Sequence, residues 1–230
     1  GAAVNLRADL AEPVVLAGAA SKGYLKVSLE GTRPSQVGER APINVAIVLD
    51  KSGSMQGSKI AEARRAAKMA VQNLQPDDII SVITYDSVVR VIVPATKATD
   101  KPSIQRAIDR VRASGNTALF AGVARGASEL RKFIDRERVN RVILLSDGLA
   151  NVGPSSPREL AQLGASLAKE GMSVSTIGLG LGYNEDLMSQ LAMASDGNHA
   201  FVEYASELAR IFRSEFADLF SVVAQEVQLT

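Results

Sequence analysis

At 230 residues, with 46% hydrophobic and 22% charged residues, the chain has the make-up of one large folded domain, or one domain with a small appendage. A formal net charge of +1, four Tyr, six Phe and no Trp give no electrostatic or stacking case for nucleic acid or an anionic membrane. Cysteine is absent, which excludes disulfides and thiolate chemistry, and no apolar run reaches the roughly 20 residues of a membrane span.

The chain opens at Gly1 rather than Met and shows no signal-peptide pattern, so it reads as a mature or excised piece. Residues 4–10 and 24–30 alternate apolar with polar, the period of half-buried strands. Gly18 and Gly23 bracket a turn between them, and 31–42 reads as a linker. Residues 1–42 are therefore expected to form two or three antiparallel strands apart from the main core.

From Ile43 the pattern changes to strands alternating with helices. Residues 43–49 are apolar except for Asn44, which fits a strand buried on both faces. A helical stripe follows through Ile60, Ala63, Ala67, Ala70, Val71 and Leu74. The spacing then predicts a strand over 79–85 and an antiparallel edge strand over 88–93, stopped by Pro94. Helices are expected over 103–111 and 119–136, and a second buried strand over 141–148, ending in the carboxylate of Asp147. Beyond it come a helix over 157–169, a strand over 173–178, and a short helix over 186–194. A strand over 200–204 and a helix over 206–221 complete the series. The fold class is α/β: doubly wound, with a mostly parallel central sheet, one antiparallel edge strand and helices on both faces. Residues 222–230 look like one further strand, whose most economical partner is the amino-terminal pair. The division is then 1–42 extension, 43–221 α/β domain, and 222–230 returning strand, with both termini building a small antiparallel β extension. Should the natural chain run past Thr230, that sheet would be completed further on.

Three segments deliver oxygens to the carboxyl ends of the parallel strands: Asp50, Ser52 and Ser54; Thr117; and Asp147. Right-handed crossovers put these ends on one edge, where open α/β sheets bind ligands. The set offers two carboxylates and three hydroxyls, with no soft ligand near. Such hard donors suit Mg²⁺, Mn²⁺ or Ca²⁺ rather than zinc or copper. The plainer alternative is that Asp50 and the serines only cap the following helix, but it leaves Thr117 and Asp147 unexplained. Lys51 and Met55 read as turn residues, and Asn116 and Asn151 as loop residues or supports that orient the site. Gly178 to Gly182 lacks the spacing of a dinucleotide loop. His199, the sole histidine, reads as structural.

Asp50-Lys51-Ser52-Gly53-Ser54, with Thr117 in Gly115-Asn116-Thr117 and Asp147 in Ser146-Asp147-Gly148, resembles the metal-ion-dependent adhesion site of von Willebrand factor type A (vWA) domains. The resemblance spans about residues 43–220. It implies that Ser52, Ser54 and Thr117 ligate a metal directly, while Asp50 and Asp147 act largely through coordinated water. An open position then accepts a carboxylate from a protein partner. The flanking strands resemble bacterial vWA proteins and inter-alpha-trypsin inhibitor heavy chains, which implies an extracytoplasmic (periplasmic, cell-surface or secreted) setting.

The leading expectation is a non-catalytic, Mg²⁺- or Mn²⁺-dependent protein-binding module, with Ca²⁺ as a further option. Its partner would be a protein supplying an acidic side chain, not nucleic acid. Exposed β-strands offer an edge for homodimerisation. One alternative is a Mg²⁺-dependent phosphatase-like hydrolase in which Asp50 is the nucleophile, although Ser52 stands where such enzymes carry a second Asp. The other is a structural domain stabilised by its metal.

Overall fold

The computed structural model describes residues 4–10, 22, 24–31, 40–147 and 150–221. The chain divides into two units, of which the larger is Pro42–Phe220. The smaller contains strands β1 (Val4–Leu10) and β2 (Leu25–Gly31), paired antiparallel with Leu6 opposite Leu29 and Leu10 opposite Leu25. The expected turn between these strands, the 31–42 linker for the most part, and the 222–230 strand lie outside the described residues.

The larger unit is a six-stranded sheet. Its members are β3 (Ile43–Asp50), β4 (Ile79–Tyr85), β5 (Val89–Lys97), β6 (Val139–Ser146), β7 (Met172–Leu179) and β8 (His199–Val202). They lie in the order β5-β4-β3-β6-β7-β8, and every pairing is parallel except β4–β5. The intervening helices are α1 (Ser58–Asn73), α2 (Lys101–Asp109), α3 (Leu119–Leu130), α4 (Pro157–Lys169), α5 (Glu185–Ala194) and α6 (Leu208–Ser221).

Every residue of β3 and β6 is buried, as their continuous apolar runs require of central strands covered on both faces. One core layer joins Ala46, Val48, Val142 and Leu144 to Leu119 and Val123 of α3, Leu160 of α4 and Leu191 of α5. Helix α3 approaches the sheet closely because it turns glycines toward it. A Cβ on Gly122 would stand 2.8 Å from the Tyr85 ring, and one on Gly126 2.7 Å from Val48. That approach fixes the start of α3, and with it Thr117 just upstream.

The strand order reverses between β3 and β6. The crevice at their carboxyl ends is thus the switch point of the sheet, flanked by Asp50 and Asp147.

Two element boundaries differ from the sequence reading by more than two residues. Pro94 does not stop β5, which continues to Lys97. The β4–β5 register shifts around Val82, leaving Pro94 out of the ladder on an edge strand, where a missing N–H costs nothing. The next amide, of Ala95, is taken up by Glu129 Oε2 at 3.0 Å. Helix α3 ends at Leu130 rather than near Arg136, passing through a 3₁₀ turn over Arg131–Phe133 into extended backbone at Ile134. Asn140 Nδ2 donates to the Asp135 carbonyl at 2.9 Å, so a tertiary bond takes over where helix propensity alone would have continued.

Candidate metal centre

Strand β3 runs straight into the site. The Asp50 carboxylate is fully buried, its Oδ1 accepting the Ser52 amide at 2.8 Å and its Oδ2 the Ser146 hydroxyl at 2.7 Å. The chain then makes a 3₁₀ turn, Gly53–Met55, pinned by the fully buried Met55 side chain. Ser52 Oγ and Ser54 Oγ lie 3.1 Å apart, and Ser54 Oγ donates to Asp147 Oδ1 at 2.7 Å. Asp50, Ser52, Ser54 and Asp147 therefore form one continuous polar cluster across the switch point.

Thr117 reaches the same edge by a different route. The Gly53 amide donates to the Gly115 carbonyl at 2.9 Å and the Ser114 amide to the Lys51 carbonyl at 2.6 Å, which ties the Thr117 loop to the serine turn. Asn151 clamps the Thr117 main chain from the far side: its Oδ1 accepts the Thr117 amide at 2.9 Å, and its own amide donates to the Thr117 carbonyl at 3.2 Å. Thr117 is 4% exposed, and no side-chain hydrogen bond among the described residues joins it to the other four. Asn151 thus acts as a support of the cluster. Asn116 bonds through its amide to Ser87 Oγ at 2.9 Å.

The serines do not cap the helix that follows. The residue preceding α1 at the cap position is Gly57, and no side chain bonds the first amides there. Capping therefore leaves Ser52 and Ser54 unaccounted for.

Electrostatics point to a cation. Burial pushes the Asp50 carboxyl above its ordinary value, against the hydrogen bonds from Ser146 and Ser52, and the nearby Asp147 charge pushes the same way. Burial also drives the Tyr85 phenol well above its usual range, helped by the Asp50 charge. Among the described residues no three of His, Cys, Asp and Glu gather in one place, so the donors at this edge are two carboxylates and neutral hydroxyls. That set fits a hard divalent ion by charge and by donor type. One cation already answers the field: Lys59 Nζ pairs with Asp147 Oδ2.

Sequence reasoning missed three contributors. Ser146 was legible as the hydroxyl preceding Asp147 at the strand end. Lys59 had a fainter signal, a base in the first turn of a helix. Lys51 is more than a turn residue, since its ammonium pairs with Asp86 and donates to Ser114 Oγ at 2.9 Å, strutting two loops. Burial raises the Asp86 carboxyl, but the bonds from Lys51, the Val88 amide and Ser114 outweigh it and hold Asp86 below its ordinary value.

The strand order defines a doubly wound α/β domain, with the hydroxyl–carboxylate cluster at its switch point. The von Willebrand factor type A domain profile matches residues 44–213, and the chain belongs to that family. It is 31% identical over 183 residues to the uncharacterized protein sll0103 of Synechocystis sp., a match covering 80% of this chain and 43% of that one. It is 28% identical over 186 residues to human inter-alpha-trypsin inhibitor heavy chain H3, covering 77% of this chain and 20% of that one. The chain therefore spans less than half the length of these relatives. Among solved structures, a von Willebrand factor type A protein from Catenulispora acidiphila superposes with a TM-score of 0.78 at 20% identity, over 95% of this chain and 50% of that one. Proximal thread matrix protein 1 of the mussel byssus, with its adhesion-site motif occupied by zinc, superposes at 0.62 with 24% identity, over 79% and 46% of the two chains.

Proposed function

We propose that this domain is a divalent-metal-dependent protein-binding module, with Ser52, Ser54 and Thr117 as direct ligands and Asp50 and Asp147 balancing charge behind them. The observation that carries the reading is the Ser52–Ser54–Asp147 chain of hydrogen bonds, which gathers hard donors from distant loops at the switch point. Bound there, the cation supplies a Lewis-acidic position that an acidic side chain of a protein partner can occupy. The role of this chain's residues is positioning. The 3₁₀ turn aims the two serines, Asn151 holds the Thr117 backbone, and Ser146 fixes the Asp50 carboxylate.

A hydrolytic role for Asp50 fits poorly. Both of its oxygens already accept hydrogen bonds and the residue has no exposed surface, so no oxygen is presented for attack on a phosphate. The physiological ion in this reading is Mg²⁺ or Mn²⁺, and the setting extracytoplasmic, in keeping with kinship to the inhibitor heavy chains.

Calorimetric titration of chelator-stripped protein with Mn²⁺, with and without acetate, tests the proposal. Saturable binding that acetate strengthens and Ser52→Ala removes is expected. Binding indifferent to Ser52→Ala, or turnover of a generic phosphate ester abolished by Asp50→Asn, would overturn it.

A further inference from the structure

We propose that Lys59 is a tethered counter-cation that sets the charge of this site, weakening its hold on metal and strengthening its capture of a carboxylate. The inference rests on the metal-binding reading above and adds a residue to it. Lys59 Nζ pairs with Asp147 Oδ2, the oxygen that Ser54 leaves, since Ser54 donates to Oδ1. The Asp147 side chain has no exposed surface while that of Lys59 is 35% exposed, so the lysine lies over the carboxylate on its solvent side.

Its place in the sequence argues that the site holds it there. Lys59 is the second residue of α1, where the positive end of the helix dipole disfavours a cation, and no acidic residue in that first turn compensates. Gly180, in the loop after β7, borders the ammonium: a Cβ there would lie 3.8 Å from Lys59 Nζ. The neighbouring cation, Lys51, is committed to Asp86 and Ser114. Among the described residues, Lys59 is thus the ammonium that pairs with an aspartate of the cluster itself.

The consequence is a pair of effects of opposite sign. With both carboxylates ionised, Asp50, Asp147 and Lys59 together leave one negative charge. A divalent ion converts this to one net positive charge, which an incoming carboxylate neutralises. Without Lys59 the metal alone would neutralise the two aspartates, and the incoming carboxylate would be drawn by the metal's open position with no net positive charge behind it. Repulsion between an ammonium and a divalent ion that share one carboxylate, partly screened, would amount to about a tenfold loss of metal affinity.

The test compares Mn²⁺ titrations of wild type, Lys59→Met and Lys59→Arg, each in chloride and in acetate at matched ionic strength. Metal-free and metal-loaded melts accompany each titration. Lys59→Met is expected to bind Mn²⁺ about tenfold more tightly, to gain less from acetate than wild type, and to melt lower without metal. Lys59→Arg, which keeps the charge, is expected to stay near wild type in all three. An unchanged or weaker Mn²⁺ affinity in a Lys59→Met protein that still melts cooperatively overturns the inference. So does an acetate gain equal to that of wild type. Failure of wild type itself to bind Mn²⁺ saturably overturns the metal-binding reading, and this inference with it.

Discussion

The two ends of the six-stranded sheet carry the same kinds of polar residue and use them in opposite ways. At the amino ends, Asp78 accepts the Ile43 amide at 2.9 Å and the Gln75 amide at 2.7 Å. There Asn44 Nδ2 bonds the Leu130 carbonyl at 2.9 Å and Asn140 Oδ1 at 3.0 Å, and Arg141 Nε donates to Ser173 at 2.9 Å. Asp78 closes two main-chain donors and Asn44 a main-chain acceptor, and with Arg141 they hold neighbouring elements in place. At the carboxyl ends, Asp50 and Asp147 are brought toward each other, with hydroxyls between them and one lysine across the top. Polar burial at the first end is spent on stability. At the second it leaves a like-charge pair whose cost a bound cation would relieve.

The largest separation between the two ends is expected from Asp78→Ala. Losing two amide partners of a carboxylate should cost on the order of 3 kcal/mol in denaturant titration, with Mn²⁺ affinity of the folded protein unchanged. Loss of metal binding at unchanged stability would erase the distinction.

A smaller effect of opposite sign is expected from Asp50→Asn. Because burial raises the Asp50 pKa in the folded protein, its contribution to stability is intact below the ordinary carboxylate range and is lost as pH rises through the raised value. Metal-free Asp50→Asn should therefore melt higher than wild type at neutral pH while losing any response to Mg²⁺. A lower melt would contradict the claim that this end of the sheet carries an uncompensated cost.

Asp86 sharpens the contrast within one loop cluster. Its depressed pKa means a contribution present above the ordinary range and lost as pH falls through the folded value. Asp86→Asn should flatten the acid limb of the stability curve below about pH 4. An unaltered acid limb would remove Asp86 from the account. The smallest effect is expected in the smaller unit, where Leu29 in β2 is 45% exposed. Leu29→Ala should change stability by less than about 0.5 kcal/mol in the same denaturant titration.

Much of this was legible because the sheet writes its interior as uninterrupted apolar runs. Residues 43–49 and 142–145 announce central strands, and the polar residues ending them, Asp50 and Asp147, fall at one edge once the crossovers are right-handed. What local pattern could not carry depends on tertiary bonds. Pro94 looks like a stop until the register shift excuses its missing donor. The α3 stripe runs past Leu130 with no local signal that Asn140 will hold Asp135. Lys59 reads as an ordinary exposed helix residue, because Asp147 stands 88 positions away in sequence. Asn151 and Ser146 are likewise recognisable as supports of the cluster through the partners that folding brings to them.

The central claim, that the carboxyl end of the sheet is a metal centre, is tested most directly by melting chelator-stripped protein with and without Mg²⁺, beside Asp147→Ala. With metal at roughly a hundredfold above its Kd, mass action predicts a rise of about 5 to 10 °C for wild type. Asp147→Ala should melt cooperatively and show none. Equal shifts in the two proteins, or no shift in wild type at saturating Mg²⁺ or Mn²⁺, would contradict the account.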